Sequence, residues 1–159
     1  MDHNNESLTE NSAEMDKGKK IDVLMVEPGQ YAKMVTIDNG LESLQKAVGG
    51  YIQAAYYYDD PVAVICNEEG KIEGLRPNRA IFDDTGEMVD IVAGTFLITG
   101  LGEEDFASLP KDLQEKYQQK FHSPETFLRL GEKILVLPTE PDRERKPKAK
   151  GKNSHGMEL

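Results

Sequence analysis

Two short polar strings in this chain bring together side chains that do chemistry. Asn67-Glu68-Glu69-Gly70-Lys71 sets an amide, two carboxylates and an ammonium within five residues. Such a set can grip a ligand, or use a carboxylate as base or metal ligand. Arg76-Pro77-Asn78-Arg79 adds a guanidinium beside proline-fixed backbone, suited to two-point contact with a carboxylate or phosphate. A plainer role competes with each. Asn67 and Gly70 fit the first and fourth positions of a type I turn that runs on into a glycine bulge, joining two hairpin strands. If that hairpin forms, Arg79 lies close to Glu68 or Glu69, and its plain role is a surface ion pair worth ~0–1 kcal/mol. The candidate binding residues are therefore Asn67, Glu68, Glu69, Lys71, Asn78 and Arg79, and none is assigned a catalytic role.

Other chemistry is sparse. Cys66, the one cysteine, ends an apolar run and behaves as a small hydrophobe; it excludes an internal disulfide and a multi-thiolate zinc site. His3, His122 and His155 are too widely spaced for a familiar metal site, so neither metal nor cofactor is expected. No P-loop, dinucleotide fingerprint or Gly-x-Ser-x-Gly elbow occurs. Tyr56, Tyr57 and Tyr58 suit a half-buried strand better than a stacking platform. Acidic groups recur at Asp83, Asp84, Glu87 and Asp90, and at Glu103, Glu104 and Asp105. They form a solvated acidic surface or, if aligned on one face, an imitation of nucleic-acid phosphates.

The elements that must hold these groups fill the middle of the 159 residues, a length suited to one core. Residues 1–20 have few apolar side chains and read as a disordered tail. Residues 138–159 read as a second, basic tail. Its stretch from Arg143 through Lys152 is the one segment expected to attract nucleic acid, with low specificity because no aromatics interleave the charges. Residues 143–159 carry six bases against Glu144 and Glu158, a net +4, so the overall −10 leaves −14 on residues 1–142. No run approaches a membrane span and no signal h-region is present, which points to the cytoplasm and away from membranes.

Between the tails, residues 21–137 predict a single α+β domain: one small mixed, mainly antiparallel sheet with two short helices, in two layers. Strands are expected at 21–26 and 33–37 around a Glu27-Pro28-Gly29-Gln30 type II turn. Further strands follow at 51–58, 61–66, 80–82, 91–99 and 133–137. The 61–66 strand is apolar on both faces and should be central. One helix, capped by Asn39, carries Leu41, Leu44 and Val48 and stops at Gly49-Gly50. A second begins at Ser108 and carries Leu109, Leu113, Tyr117 and Phe121.

Four motifs in order (LQKAVGGYI at 44–52, NEEGK at 67–71, PNRA at 77–80, and GTF at 94–96 leading to Gly100) resemble a small family of uncharacterised domains. Such domains are frequent in bacteriophages, plasmids and bacterial conjugative elements. The likeness spans roughly residues 21–137. It implies a host-interaction role as an accessory protein of a phage or mobile element, of anti-restriction or anti-defence type; the polar loops, with no recognisable catalytic set, point to a non-catalytic domain that binds a host protein or small ligand. The alternatives are an enzyme acting on nucleotides or nucleic acid, with Glu68 or Glu69 as base and Arg79 on phosphate, and an acidic DNA mimic.

Overall fold

The computed structural model describes residues 19–142. The expected N-terminal tail and most of the basic C-terminal tail lie outside that range. Among the described residues, ten strands and two helices follow in order: β1 (Lys20–Val26), β2 (Lys33–Asp38), α1 (Leu41–Val48), β3 (Ile52–Ala55), β4 (Val62–Asn67), β5 (Pro77–Phe82), β6 (Met88–Ala93), β7 (Phe96–Leu101), β8 (Phe106–Ala107), α2 (Lys111–Lys120), β9 (Glu125–Leu130) and β10 (Lys133–Pro138). The class is α+β and mostly strand, and every pairing is antiparallel.

The expected single sheet is three sheets. The largest runs β2-β1-β7-β4-β3, with β8 added to β7, while β5-β6 and β9-β10 are separate two-stranded ribbons. Two layers also become three, because alternation along the apolar central strands sends side chains to both faces. On one face Val23, Ala63, Ile65 and Leu97 pack under Leu44 and Val48 of α1. On the other, Leu24, Val62, Val64, Phe96 and Ile98 pack under α2, through Tyr117 and Phe121, and under the β5-β6 ribbon, through Ile81 and Val92.

Local chemistry explains where expectation and fold agree. Gly29 takes φ 75° and Gln30 N–H reaches Glu27 O at 3.1 Å, closing the β1-β2 turn as anticipated. Gly49 takes φ 82° and, with Gly50, donates to Gln45 O to end α1. β4 is an interior strand, flanked by β7 and β3, while β7 holds the middle of the sheet.

Differences have equally local causes. Asn39 does not cap α1: it is buried and its amide donates to Phe106 O at 3.2 Å. Ser108 does not start α2, since its hydroxyl accepts Asp22 N–H at 2.9 Å. The 51–58 strand stops at Ala55, so Tyr56 is exposed, Tyr57 reaches Asp90, and Tyr58 turns into the core against Tyr117. The 91–99 run is two strands broken at Gly94, whose φ of 85° no β-branched residue adopts at low cost. The last strand does not close the central sheet; it pairs with β9, which lacked a sequence signal. Residues 138–142 are ordered rather than tail: Asp142 N–H donates to Gly29 O, and its carboxylate meets Arg76 Nη1 at 2.6 Å.

A Cβ at Gly94 would also stand 2.7 Å from Leu75 Cδ1. Gly94→Ala is therefore expected to destabilise by about 1–3 kcal/mol, seen as a lower denaturant midpoint with an unchanged slope. An unaltered midpoint would show that the backbone tolerates a side chain there.

Candidate functional site

The chain between β4 and β5 does not form the expected hairpin. β4 belongs to the central sheet and β5 to a ribbon on its far face, so residues 67–76 cross between layers as successive turns. Gly70 N–H donates to Asn67 O, Glu73 N–H to Glu69 O, and Leu75 N–H to Gly70 O. Gly70 makes the crossing possible, because a Cβ there would stand 2.8 Å from Ala93 O.

This crossing borders two depressions. The larger, about 740 Å³, opens between α1 and the turn. Glu42 and Lys46 come from the helix, Gly50 and Tyr51 from its stop, and Glu69 and Glu73 from the facing turn. Asn67 is its buried hinge rather than a free ligand group: its Nδ2 donates to Val48 O at 3.3 Å and its Oδ1 accepts Glu69 N–H at 2.8 Å. A side chain at Gly50 would collide with Asn67, which accounts for a glycine at that wall. Glu69 and Glu73 are exposed, and Tyr51 leaves 70% of its surface uncovered at the rim. Three carboxylates face one ammonium here: Glu42 from the first turn of α1 and Glu69 and Glu73 from the facing turn, with Lys46 in the last turn of the helix.

The smaller depression, about 350 Å³, lies on the other side of the turn, between Glu68, Lys71, Cys66 and Asp90. Asp90 is its centre. Oδ1 accepts from Lys71 Nζ at 2.7 Å and Oδ2 from the Tyr57 hydroxyl at 2.6 Å. Burial pushes the Asp90 carboxyl up, but those two bonds and the Ile91 N–H outweigh it and hold the group below the usual carboxylate range. Burial, with Asp90 nearby, pushes the Cys66 thiol up, against the pull of Lys71. That leaves it a poor nucleophile at neutral pH. Neither Asp90, Tyr57 nor the thiol's setting was legible beforehand, since they converge from three separate segments.

Asn78 and Arg79 reach neither depression. A bulge in the β5-β6 pairing at Asn78 breaks the alternation and turns both side chains inward. Arg79 is 0% exposed. Its Nε and Nη2 both donate to Phe121 O, at 3.1 and 3.0 Å, just past the end of α2. Nη2 also donates to Gln30 O at 2.7 Å, and Nη1 to Asn78 Oδ1 at 2.8 Å with a longer contact to Asn78 O. All five N–H donors of the fork are engaged within the protein. Asn78 Nδ2 in turn donates to Val26 O and Gly94 O, each at 2.9 Å. Burial lowers the Arg79 pKa to about 10, with Glu125 opposing the shift, so the group stays charged at neutral pH. Burial likewise raises the Glu125 carboxyl, opposed by the Ala80 N–H and by Arg79. The expected surface ion pair is thus a buried clamp, and no N–H remains for a phosphate.

The family model described as a domain of unknown function, DUF3846, matches residues 21–122, from β1 through the end of α2. The chain belongs to that family. No curated protein and no solved structure matches it. The β9-β10 ribbon lies beyond the matched residues. The four sequence motifs are joined in pairs: LQKAVGGYI to NEEGK by the bond from Asn67 to Val48 O, and PNRA to GTF by the bond from Asn78 to Gly94 O. Among the described residues no group of three or more His, Cys, Asp or Glu is arranged to hold a metal ion, and no helix is long and apolar enough to cross a membrane.

Two outcomes follow from these clusters. Arg79→Met strands the carbonyls of Phe121 and Gln30 and should cost about 3–5 kcal/mol in chemical denaturation; a ligand-binding arginine would leave the midpoint in place. Asp90→Asn should cost about 1 kcal/mol at pH 7. The folded Asp90 pKa lies below the unfolded one, so its contribution is complete above roughly pH 4 and disappears as pH falls through the folded value. Midpoints of the variant and wild type should therefore converge at acid pH, and a constant gap would count against this assignment.

Proposed function

We propose that this protein is a non-catalytic binding domain whose recognition surface is the cleft between α1 and the 67–76 crossing, and that its partner presents a basic surface. The observation that carries the reading is the cleft itself. It is open, about 740 Å³ in volume, and lined by Glu42, Glu69 and Glu73 with a protruding Tyr51. An exposed aromatic beside carboxylates suits lysine and arginine side chains through ion pairing and contact with the ring face. The resemblance to domains of phages, plasmids and conjugative elements supports a host protein as that partner, in an accessory, anti-defence role, though a small cationic ligand would fit the same chemistry. The enzyme alternative loses support because Arg79 is buried and fully bonded. For the DNA mimic, Asp83 and Asp84 turn carboxylate oxygens to backbone N–H groups of Thr85, Glu87 and Asp59.

The test is capture from host lysate with the wild-type protein and with a Glu42→Lys, Glu69→Lys, Glu73→Lys variant of unchanged circular dichroism. A partner retained by wild type and lost at least about tenfold by the variant is expected, a difference of ~1.4 kcal/mol. Equal retention by both proteins, or no specific retention by either, would overturn the reading.

A further inference from the structure

The β9-β10 ribbon is apolar on both faces. Alternation sends Phe127, Ile134 and Val136 inward, where Phe127 is buried and the other two are half-buried. It sends Leu128, Leu130, Leu135 and Leu137 outward, and these leave 40%, 57%, 42% and 40% of their surfaces uncovered. The register makes them one patch: Leu128 lies directly opposite Leu135, with Leu130 and Leu137 on the diagonals. Among the described residues none covers that face. A two-stranded ribbon is marginal in water on its own, so a further layer on the open face would stabilise it.

Charge selects what can lie there. Residues 1–142 sum to −14, so two copies repel one another over most approaches. Residues 125–138 are neutral, with Glu125 and Glu132 against Arg129 and Lys133. The charges are also set out lengthwise: Lys133 stands on the apolar face at the turn end, and Glu140 is exposed just past Pro138 at the other. Among the described residues neither Lys133 nor Glu140 has an ion-pair partner. Laid face to face with strands reversed, two copies bring each Lys133 to the end that carries the other's Glu140. Leu128 and Leu135 then meet their own counterparts across the two-fold axis. Laid in the same direction, both Lys133 ammonium groups share one end and repel.

We propose that the outward face of the β9-β10 ribbon docks on the same face of a second copy of this chain, strands reversed, to give a two-fold dimer. The four leucines with the Lys133 stem amount to on the order of 400 Å² per copy, the size of the largest apolar patch on an ordinary monomer. The pair then buries about 800 Å², below the ~1,200 Å² of stable complexes, so the dimer is a transient one. It forms at roughly 10 µM to 1 mM protein. The acidic cleft plays no part in it, and the two proposals stand or fail separately.

Sedimentation equilibrium of the full-length protein, from about 5 µM to about 1 mM, reads the association. The mass should rise from that of one chain toward that of two and stop there. A Leu128→Glu, Leu135→Glu variant sets like charges against each other at the axis and should weaken the dimer at least about tenfold. Leu41→Glu, at a leucine exposed on α1, should leave it unchanged. Lys133→Glu should weaken it by about fivefold, and Lys133→Glu with Glu140→Lys should restore it. The unaltered chain gives a second reading that no folding defect can confuse. Its leucine methyl resonances at 128, 130, 135 and 137 should shift with concentration along the same curve, while those of Leu41 and Leu101 stay in place. A mass of one chain throughout, growth past two, a dimer indifferent to the ribbon variant, no rescue by the exchanged pair, or methyl shifts confined to other leucines would each overturn the proposal.

Discussion

The arrangement depends on one buried cation. Arg79 carries its charge into a site with no water contact and is tolerated because three chain segments turn oxygen atoms toward it: Phe121 past the end of α2, Gln30 in the β1-β2 turn, and its neighbour Asn78. An unpaired charge there would cost several kcal/mol. The carbonyl at the end of α2 is a favourable partner because the helix dipole is negative at that end. Asn78 extends the clamp to Val26 of the central sheet and to Gly94, where β6 gives way to β7. The second covering layer, made of α2 and the β5-β6 ribbon, is thereby fixed to the sheet by directional polar bonds as well as by apolar contact.

That fixation has a consequence on the opposite face. Because β5 is held on the α2 side, the chain leaving β4 cannot fold back as a hairpin and must cross the edge of the sheet between Asn67 and Pro77. The crossing stands away from α1, and the space between them is the acidic cleft. Asn67 sets its depth by bonding α1 at Val48 O while its other amide atom holds the start of the turn. The cleft residues are therefore free to vary in chemistry while the clamp holds their position, a division between rigid scaffold and presenting loop that suits recognition.

Much of this was legible in the sequence where a signal is local. The Pro28-Gly29 turn, the Gly49-Gly50 helix stop and the doubly apolar β4 each follow from chemistry within a few residues. Residues 67–71 lie beside two depressions, but the hairpin expected of them does not form. Which sheet a strand joins is decided by partners far along the chain, and no local pattern reveals it. Arg79 was misread for a related reason. An arginine after proline and asparagine looks like a loop residue, and only the bulge at Asn78, a pairing irregularity with no sequence mark, turns it inward. A hint was present in the apolar run that follows it, Ala80-Ile81-Phe82, which places the charge inside a strand. The strand β9, whose Glu125 bonds the edge of β5 at Ala80 N–H, gave no warning because its alternation is broken by Thr126 and Arg129.

Side-chain NMR of the guanidinium groups tests the clamp most directly. If Arg79 is saturated as described, its Nε–H and individual Nη–H protons give separate resonances at neutral pH. Their exchange with solvent is then as slow as that of the most protected amides of β4 and β7, because both require global opening. A single averaged Nη resonance, or exchange as fast as that of Arg129 on the exposed ribbon, would mean that Arg79 is reached by water and that the clamp does not hold the layers together.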